Sequence, residues 1–208
     1  MNDAVIVQSA MSKGGGEYYP HLALSVPIHA AYAKRHNFDY RAEFGDVSEF
    51  GSNTAGGYAK IEMLIEAAKK YRYVVWIDCD AIIVNDKVDL RDAFQEGKHI
   101  SLVRYDRPKT HLNVGVMFVR GGAESVRLLE IIRNTPARND WFEQQTINDM
   151  LDSDDGKYIG EIDKRWNTWV CDKFNDDDVI HGYHSGLTKP QKLEFIAYEV
   201  HKIGQKNA

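Results

Sequence analysis

The sequence predicts one α/β domain, a Rossmann-like sheet, mostly parallel and mixed, flanked by helices. Three observations lead there. Ala4–Ser9 (AVIVQS) and Tyr73–Asp78 (YVVWID) are short apolar runs, the pattern of strands buried on both faces. Between them lies an amphipathic segment, Tyr58–Lys70, with Ile61, Leu64, Ile65 and Ala68 at helical spacing. Strands and helices alternate through the first half, an order that demands parallel pairing.

The elements follow in order. After the first strand comes a polar, glycine-rich loop, Lys13–Glu17, then a helical pattern over Leu22–His36 in which Pro27 either kinks the helix or marks its first turn. Phe38–Glu43 reads as a second strand, and the glycine-rich stretch Gly51–Gly57 leads into the amphipathic helix. Ile100–Tyr105 and Val114–Val119 are further β runs, and helices are expected over Glu124–Asn134 and Phe142–Leu151. The remainder reads as irregular until a last helical segment after Pro190. No repeat, low-complexity tract or linker divides the chain.

Composition narrows the function classes. With 43% hydrophobic and 27% charged residues, the 208-residue chain is globular and long enough for a real core. Its 26 basic against 31 acidic residues leave a net charge of −5, the wrong sign for a nucleic-acid partner. An anionic diphosphate would also be repelled unless a local cation or metal received it. Cys79 and Cys171 form no CxxC pair and no disulfide framework, so free thiols are expected. Met1–Ser9 does not read as a signal peptide, and no stretch approaches the about 20 apolar residues of a membrane segment. These readings point to the cytoplasm, or to a domain excised from a longer chain.

The strongest chemical feature is Asp78-Cys79-Asp80. Carboxylates at i and i+2 on an extended chain share a side. At a strand end both can face a crevice and offer oxygens to Mn²⁺ or Mg²⁺. Two solvated turn aspartates are the plain alternative. His181-Gly-Tyr-His184-Ser-Gly186-Leu-Thr-Lys189-Pro190 is a second cluster. Imidazole is a ready metal ligand, Lys189 can set a compact charge on a phosphate, and Gly186 lets backbone amides approach one. Asn113-Val-Gly115 opens a strand, where asparagine can serve sugar hydroxyls or simply make a turn. Glu143-Gln144-Gln145 opens a helix, a commonplace position for an acid. Asp154-Asp155 and Asp176-Asp177-Asp178 read as solvated loop charges, and Gly14–Gly16 lacks the lysine of a P-loop.

Taken in order, these pieces resemble the GT-A glycosyltransferases, in particular small retaining galactosyl-, xylosyl- and glucosyltransferase-type families. The resemblance spans about Val5 to Phe195. It is carried by Tyr32-Ala33 with His36-Asn37-Phe38-Asp39-Tyr40, by Tyr58-Ala59-Lys60-Ile61, and by WIDCDAIIVN (Trp76–Asn85). LNVGVMFVR (Leu112–Arg120), EQQTIN (Glu143–Asn148), Trp166-Asn167 and HSGLTKP (His184–Pro190) complete the series.

The resemblance implies a nucleotide-diphosphate sugar donor, UDP-sugar before GDP-sugar, a glycan acceptor, and transfer with retention. It makes residues about 1–85 the nucleotide-binding half and about 86–208 the acceptor half of a single domain. By the same resemblance Asp78, Asp80 and His184 hold the Mn²⁺ or Mg²⁺. Gln8, Ser9, Lys60, Gly115, Gly186 and Lys189 serve the donor with Asp78, and Asn113, Glu143 and Gln144 lie beside the reacting carbon. Relatives place the histidine three residues before the glycine, whereas His184 is two before Gly186, so His181 is a rival ligand. The missing anchor fits a cytosolic enzyme, an excised domain, or a compact transferase of the kind large algal viruses encode. A haloacid-dehalogenase-type phosphatase also follows a buried strand with two aspartates. It would carry Gly-Thr next, however, where this chain has Ala81-Ile82. An inactive nucleotide-sugar-binding module is the remaining alternative.

Overall fold

The computed structural model describes residues 2–12, 16–46, 55–106, 111–136, 142–184 and 186–206. Nine strands and five helices run in the order β1 (Ala4–Ser12), α1 (Tyr19–Arg35), β2 (Asp39–Asp46), α2 (Ala55–Ala68), β3 (Tyr73–Ile77), β4 (Ala81–Ile83), β5 (Ile100–Tyr105), β6 (His111–Arg120), α3 (Ala123–Asn134), α4 (Phe142–Met150), β7 (Ile159–Ile162), β8 (Thr168–Trp169), β9 (Ile180–Gly182) and α5 (Lys189–Lys206) among the described residues.

The main sheet has the order β2-β1-β3-β6-β5-β7. β2, β1 and β3 pair in parallel, as the strand–helix alternation requires, while β6 is antiparallel to both β3 and β5. Both faces of the central strands are apolar, and alternate residues enter different cores. Val5, Val7, Val74 and Trp76 pack with α2, α3 and α4 on one side. Ala4, Ile6, Val75 and Ile77 pack with Tyr32 of α1 and Ile180 of β9 on the other.

Three expectations change at this level. Helix α1 begins at Tyr19, with Pro20 in its first turn, and Pro27 lies inside it, where it does not break the helix. Pro27 therefore does not mark the start. The region expected to be irregular contains β7, β8 and β9, and β4 joins β9 and β8 in a second, three-stranded sheet. These strands are two to four residues long, too short for periodicity to show. Asp178 is not a solvated loop charge but is buried, its carboxylate receiving the backbone N–H of Asn175. The expected loops at Lys13–Gly15 and Gly51–Thr54 lie outside the described residues. Cys79 is buried and Cys171 exposed, and both are free thiols. Among the described residues no helix is long and apolar enough to cross a membrane.

Candidate active site

The carboxyl ends of β1 and β3 open onto a cleft of about 330 Å³, lined by Ser9, Met11, Tyr18, Trp76, Asp78 and Glu143 among others. Strand ends of an open α/β sheet are where ligands bind, because neighbouring chains diverge there and leave a crevice. Asp78 and Asp80 enter it from a tight turn, closed by the Ala81 N–H donating to the Asp78 carbonyl at 3.0 Å. The turn, not the side alternation of an extended strand, brings the two carboxylates together. The backbone of Asp78 is tied to β6 by its N–H donating to the Gly115 carbonyl at 2.7 Å. The Trp76 indole N–H donates to Asp78 Oδ1 at 2.6 Å.

Asp78, Asp80 and His184 form one group whose ligand-type atoms all lie within 4.8 Å of one another. His184 comes from 104 residues beyond Asp80 in sequence, delivered by the loop that follows β9. Its Nδ1 is 3.5 Å from Asp80 Oδ1, while its Nε2 is 2.9 Å from Asn167 Oδ1. An amide oxygen only accepts, so Nε2 carries the proton and Nδ1 keeps its lone pair toward the carboxylates. Two carboxylates and a neutral imidazole suit a divalent cation, and an outer hydrogen bond on the ligating histidine is the usual support of such a site. The residues present therefore fit Mn²⁺ or Mg²⁺.

Two glycines make room for this ring. A Cβ on Gly115 would lie 2.2 Å from His184 Cε1, and one on Gly182 would lie 2.4 Å from Nε2 and 2.5 Å from Asn167 Oδ1. Gly115, expected at the donor, thus also has a packing role against the histidine. His181 faces away from the aspartate pair. It stacks on Phe174 at 3.6 Å, with Asp178 and Glu199 carboxylates 3.3 and 3.4 Å from its two nitrogens.

Behind the triangle runs a partly buried polar chain. Asn167 is fully buried and donates from Nδ2 to Asn113 Oδ1 at 3.0 Å. Asn113 donates in turn to Gln144 Oε1 at 3.3 Å, which also receives the Val114 N–H at 3.3 Å. Asn113, Gln144 and His184 are therefore linked, with Asn167 as the bridge. Glu143, beside Gln144 on α4, is buried and paired to Lys60 at 3.0 Å. Lys60 also reaches Asp78 Oδ1 at 3.0 Å and the Val114 carbonyl at 3.2 Å, so each of its three ammonium protons has an acceptor. Burial alone would lower the Lys60 pKa, yet Asp78 and Glu143 raise it above the usual value. Lys60 ties the aspartate turn to α4.

Charge on the aspartate pair is unequal. Burial opposes ionisation of Asp80, but His184, when its ring is protonated, and Lys192 outweigh it and hold that carboxyl well below the ordinary range. Burial pushes Asp78 up against the pull of Lys60. Lys192, from α5, donates to Asp80 Oδ2 at 2.7 Å and is almost fully buried. Sequence reasoning missed both Lys192 and the role of Asn167. Lys192 carries no motif, only a place three residues beyond Lys189, one helical turn along.

The remaining expected donor residues are placed differently from one another. Ser9 lines the cleft, whereas Gln8 is fully buried beneath it. Gln8 Oε1 accepts from the Tyr40 hydroxyl and from His29 Nδ1, each at 2.6 Å. Gly186 has a φ of 85°, the left-handed region where a side chain is strained. Lys189 is half exposed and pairs with Glu17, its ammonium 5.1 Å from the Tyr18 ring centre.

Comparison with known proteins adds a partial family match and a fold. Residues 5–106, a little under half of the chain, match the model of the galactosyl transferase GMA12/MNN10 family. The chain has the GT-A fold seen in glycosyltransferases. Its fold is similar to that of a glycosyltransferase involved in glycosylation of the major capsid of PBCV-1. The TM-score is 0.71 at 14% identity, over 93% of this chain and 98% of that one. It is also similar to the galactosyltransferase LgtC, solved with donor and acceptor sugar analogs, at TM-score 0.54 and 14% identity over 95% of each chain. Mouse xyloside xylosyltransferase 1, apo form, gives a TM-score of 0.53 at 13% identity, over 89% of this chain and 99% of that one. No curated protein sequence matches the chain. The GT-A fold leaves no place for the haloacid-dehalogenase alternative.

Proposed function

We propose that this chain is a glycosyltransferase that takes its sugar from a nucleoside-diphosphate donor, a UDP-sugar, holds the diphosphate through a divalent metal, and transfers to a glycan with retention. The single observation that carries this is the Asp78–Asp80–His184 group, within 4.8 Å, whose two aspartates line the cleft. An acidic protein needs such a device to accept an anionic donor.

When bound there, Mn²⁺ or Mg²⁺ supplies Lewis-acid charge where the leaving diphosphate gains negative charge. The chain's own residues do the rest. Asn167 holds His184 in the tautomer that keeps Nδ1 free. Lys60 and Trp76 fix the Asp78 carboxylate. Lys189, released from Glu17, provides a mobile cation for the diphosphate, and Gly186 leaves backbone room beside it. Ser9 lines the nucleotide side of the cleft, and Gln8 braces the strand end beneath it. Asn113, Glu143 and Gln144 stand on the sugar side and position the reacting groups, a task of orientation and preorganised charge. Residues about 1–85 form the donor half and about 86–208 the acceptor half. LgtC, which has a similar fold, was solved with donor and acceptor sugar analogs, which supports a site for both partners here.

A thermal-shift screen of UDP, GDP and TDP and their sugars, with and without Mn²⁺, tests the reading. A ligand that binds the folded state alone raises the melting temperature according to its affinity. The expected result is a metal-dependent shift with UDP compounds, absent in Asp80→Ala, which remains folded. Full transfer activity in EDTA would sink the metal assignment.

A further inference from the structure

A second cavity, of about 230 Å³, opens between the end of β5 and β8. Resting on the donor reading above, we propose that it is the subsite for the acceptor sugar. Its wall is aromatic on one side, where Trp169 packs on Tyr105 with ring centres 5.5 Å apart and planes tilted 43°. Tyr105 is buried and Trp169 only partly so, which leaves the indole as the surface a ligand meets. The lining also has polar residues. It carries the carboxylates of Asp106 and Asp172 with Lys164, whose Nζ is 3.7 Å from Asp106 Oδ2.

The chemistry of this wall selects a class of ligand. A pyranose has an apolar face of C–H bonds and a rim of hydroxyls. The first suits an indole face, and the second suits carboxylate acceptors and an ammonium donor. Two carboxylates against one lysine disfavour an anion. Lys164 beside Asp106 disfavours a metal ion in the same place. The volume is below the roughly 300 Å³ at which pockets for drug-sized ligands begin, so it suits a single sugar ring.

Its position ties it to the transfer centre. The Tyr105 hydroxyl donates to the Asn167 carbonyl, and the Asn167 side chain holds His184. Trp169 is the register partner of Gly182, the glycine against which the His184 ring lies. Cys171, on the cavity rim, approaches Gly186, where a Cβ would be 3.9 Å from its Sγ. The cavity thus shares the Asn167 framework with the Asp78–Asp80–His184 group, the link on which the acceptor assignment rests.

Saturation-transfer NMR on the full chain, with the methyl glycosides of glucose, galactose, mannose, xylose, fucose and rhamnose as probes, tests the subsite. At least one glycoside should receive saturation from the wild-type protein. Trp169→Ala should weaken that glycoside about tenfold or more, the scale of a lost aromatic contact with its buried area. Asp172→Asn, which keeps the shape of the side chain, should weaken it as well, so a misfolded Trp169 variant does not leave the question open. Calorimetric binding of UDP with Mn²⁺ should be the same in wild type and both variants. No glycoside binding by the wild type, or unchanged binding in both variants, overturns the subsite. Failure of UDP to bind the wild type would instead overturn the donor reading, and the glycoside result would stand by itself.

Discussion

His184 Nε2 lies 2.9 Å from Asn167 Oδ1, and the amide that makes this contact is fully buried. The His184 nitrogen left facing the aspartate pair is therefore set by Asn167, which bonds the other nitrogen of the ring. Asn167→Ala should weaken Mn²⁺ binding about ten- to hundredfold, the usual cost of losing such an outer partner. Asn167→Asp should retain more affinity than the alanine variant, because a carboxylate oxygen can still accept from Nε2. Titration of Mn²⁺ by electron paramagnetic resonance reads both. Equal affinity in wild type and Asn167→Ala would show that the ring is held by packing alone.

Gly115 and Gly182 give that ring its space. In Gly115→Ala the new methyl would meet His184 Cε1 at 2.2 Å, so the imidazole must leave its position. Metal binding should be lost while circular dichroism stays native. Gly204→Ala is the control, since nothing lies within 4 Å of its Cβ, and it should bind metal normally. Normal metal binding by Gly115→Ala would remove His184 from the ligand set.

Lys189 pairs with Glu17 in the structure, with both side chains substantially exposed. An exposed ion pair contributes at most about 1 kcal/mol. Glu17→Gln should thus free Lys189 and tighten UDP binding in the presence of Mn²⁺ by no more than about fivefold. Lys189→Ala should weaken it. Calorimetry that finds UDP affinity unchanged in Lys189→Ala would take the lysine out of the diphosphate site.

His29 offers a pH test of the framework. Its Nε2 accepts the Ile83 N–H at 3.1 Å and its Nδ1 meets Gln8 Oε1 at 2.6 Å, a pattern only the neutral ring satisfies. Burial lowers its pKa from 6.5 to about 3. Between those values the unfolded chain binds a proton that the folded chain refuses, so stability falls as pH falls through this window. His29→Gln removes that proton. Urea midpoints measured across the window should drop less steeply in the variant than in the wild type, and parallel curves would refute the assignment.

The product should keep the anomeric configuration of the donor. Glu143, the carboxylate beside Gln144, is buried against Lys60 at 3.0 Å and so is not free to act as a dedicated base. NMR of the first-formed product decides, and an inverted anomer would count against retention. Gln144→Ala should lower turnover about a hundredfold with donor affinity changed far less. Its amide oxygen already holds Asn113 and Val114, so the variant should also loosen the chain that leads to His184.

What the sequence by itself determined was local in origin. The apolar runs that became β1 and β3, the helical spacing of α2, and the aspartate pair at a strand end are all features of neighbouring residues. Periodicity and motif report such features because burial imposes a repeat on each element. Helix α5 and strands β5 and β6 were legible for the same reason.

Tertiary structure alone decided which distant groups meet. Lys192 reaches Asp80 across 112 residues, and Asn167 reaches Asn113 across 54 and His184 across 17. Gly182 lies on β9 and Asn167 directly precedes β8, yet strands of two or three residues hold no readable repeat. Asp178 looked like one of three solvated aspartates, and its burial depends on the fold around Asn175 and His181. A buried polar group must find its partner wherever the packed chain puts one, and that choice is a property of the assembled interior.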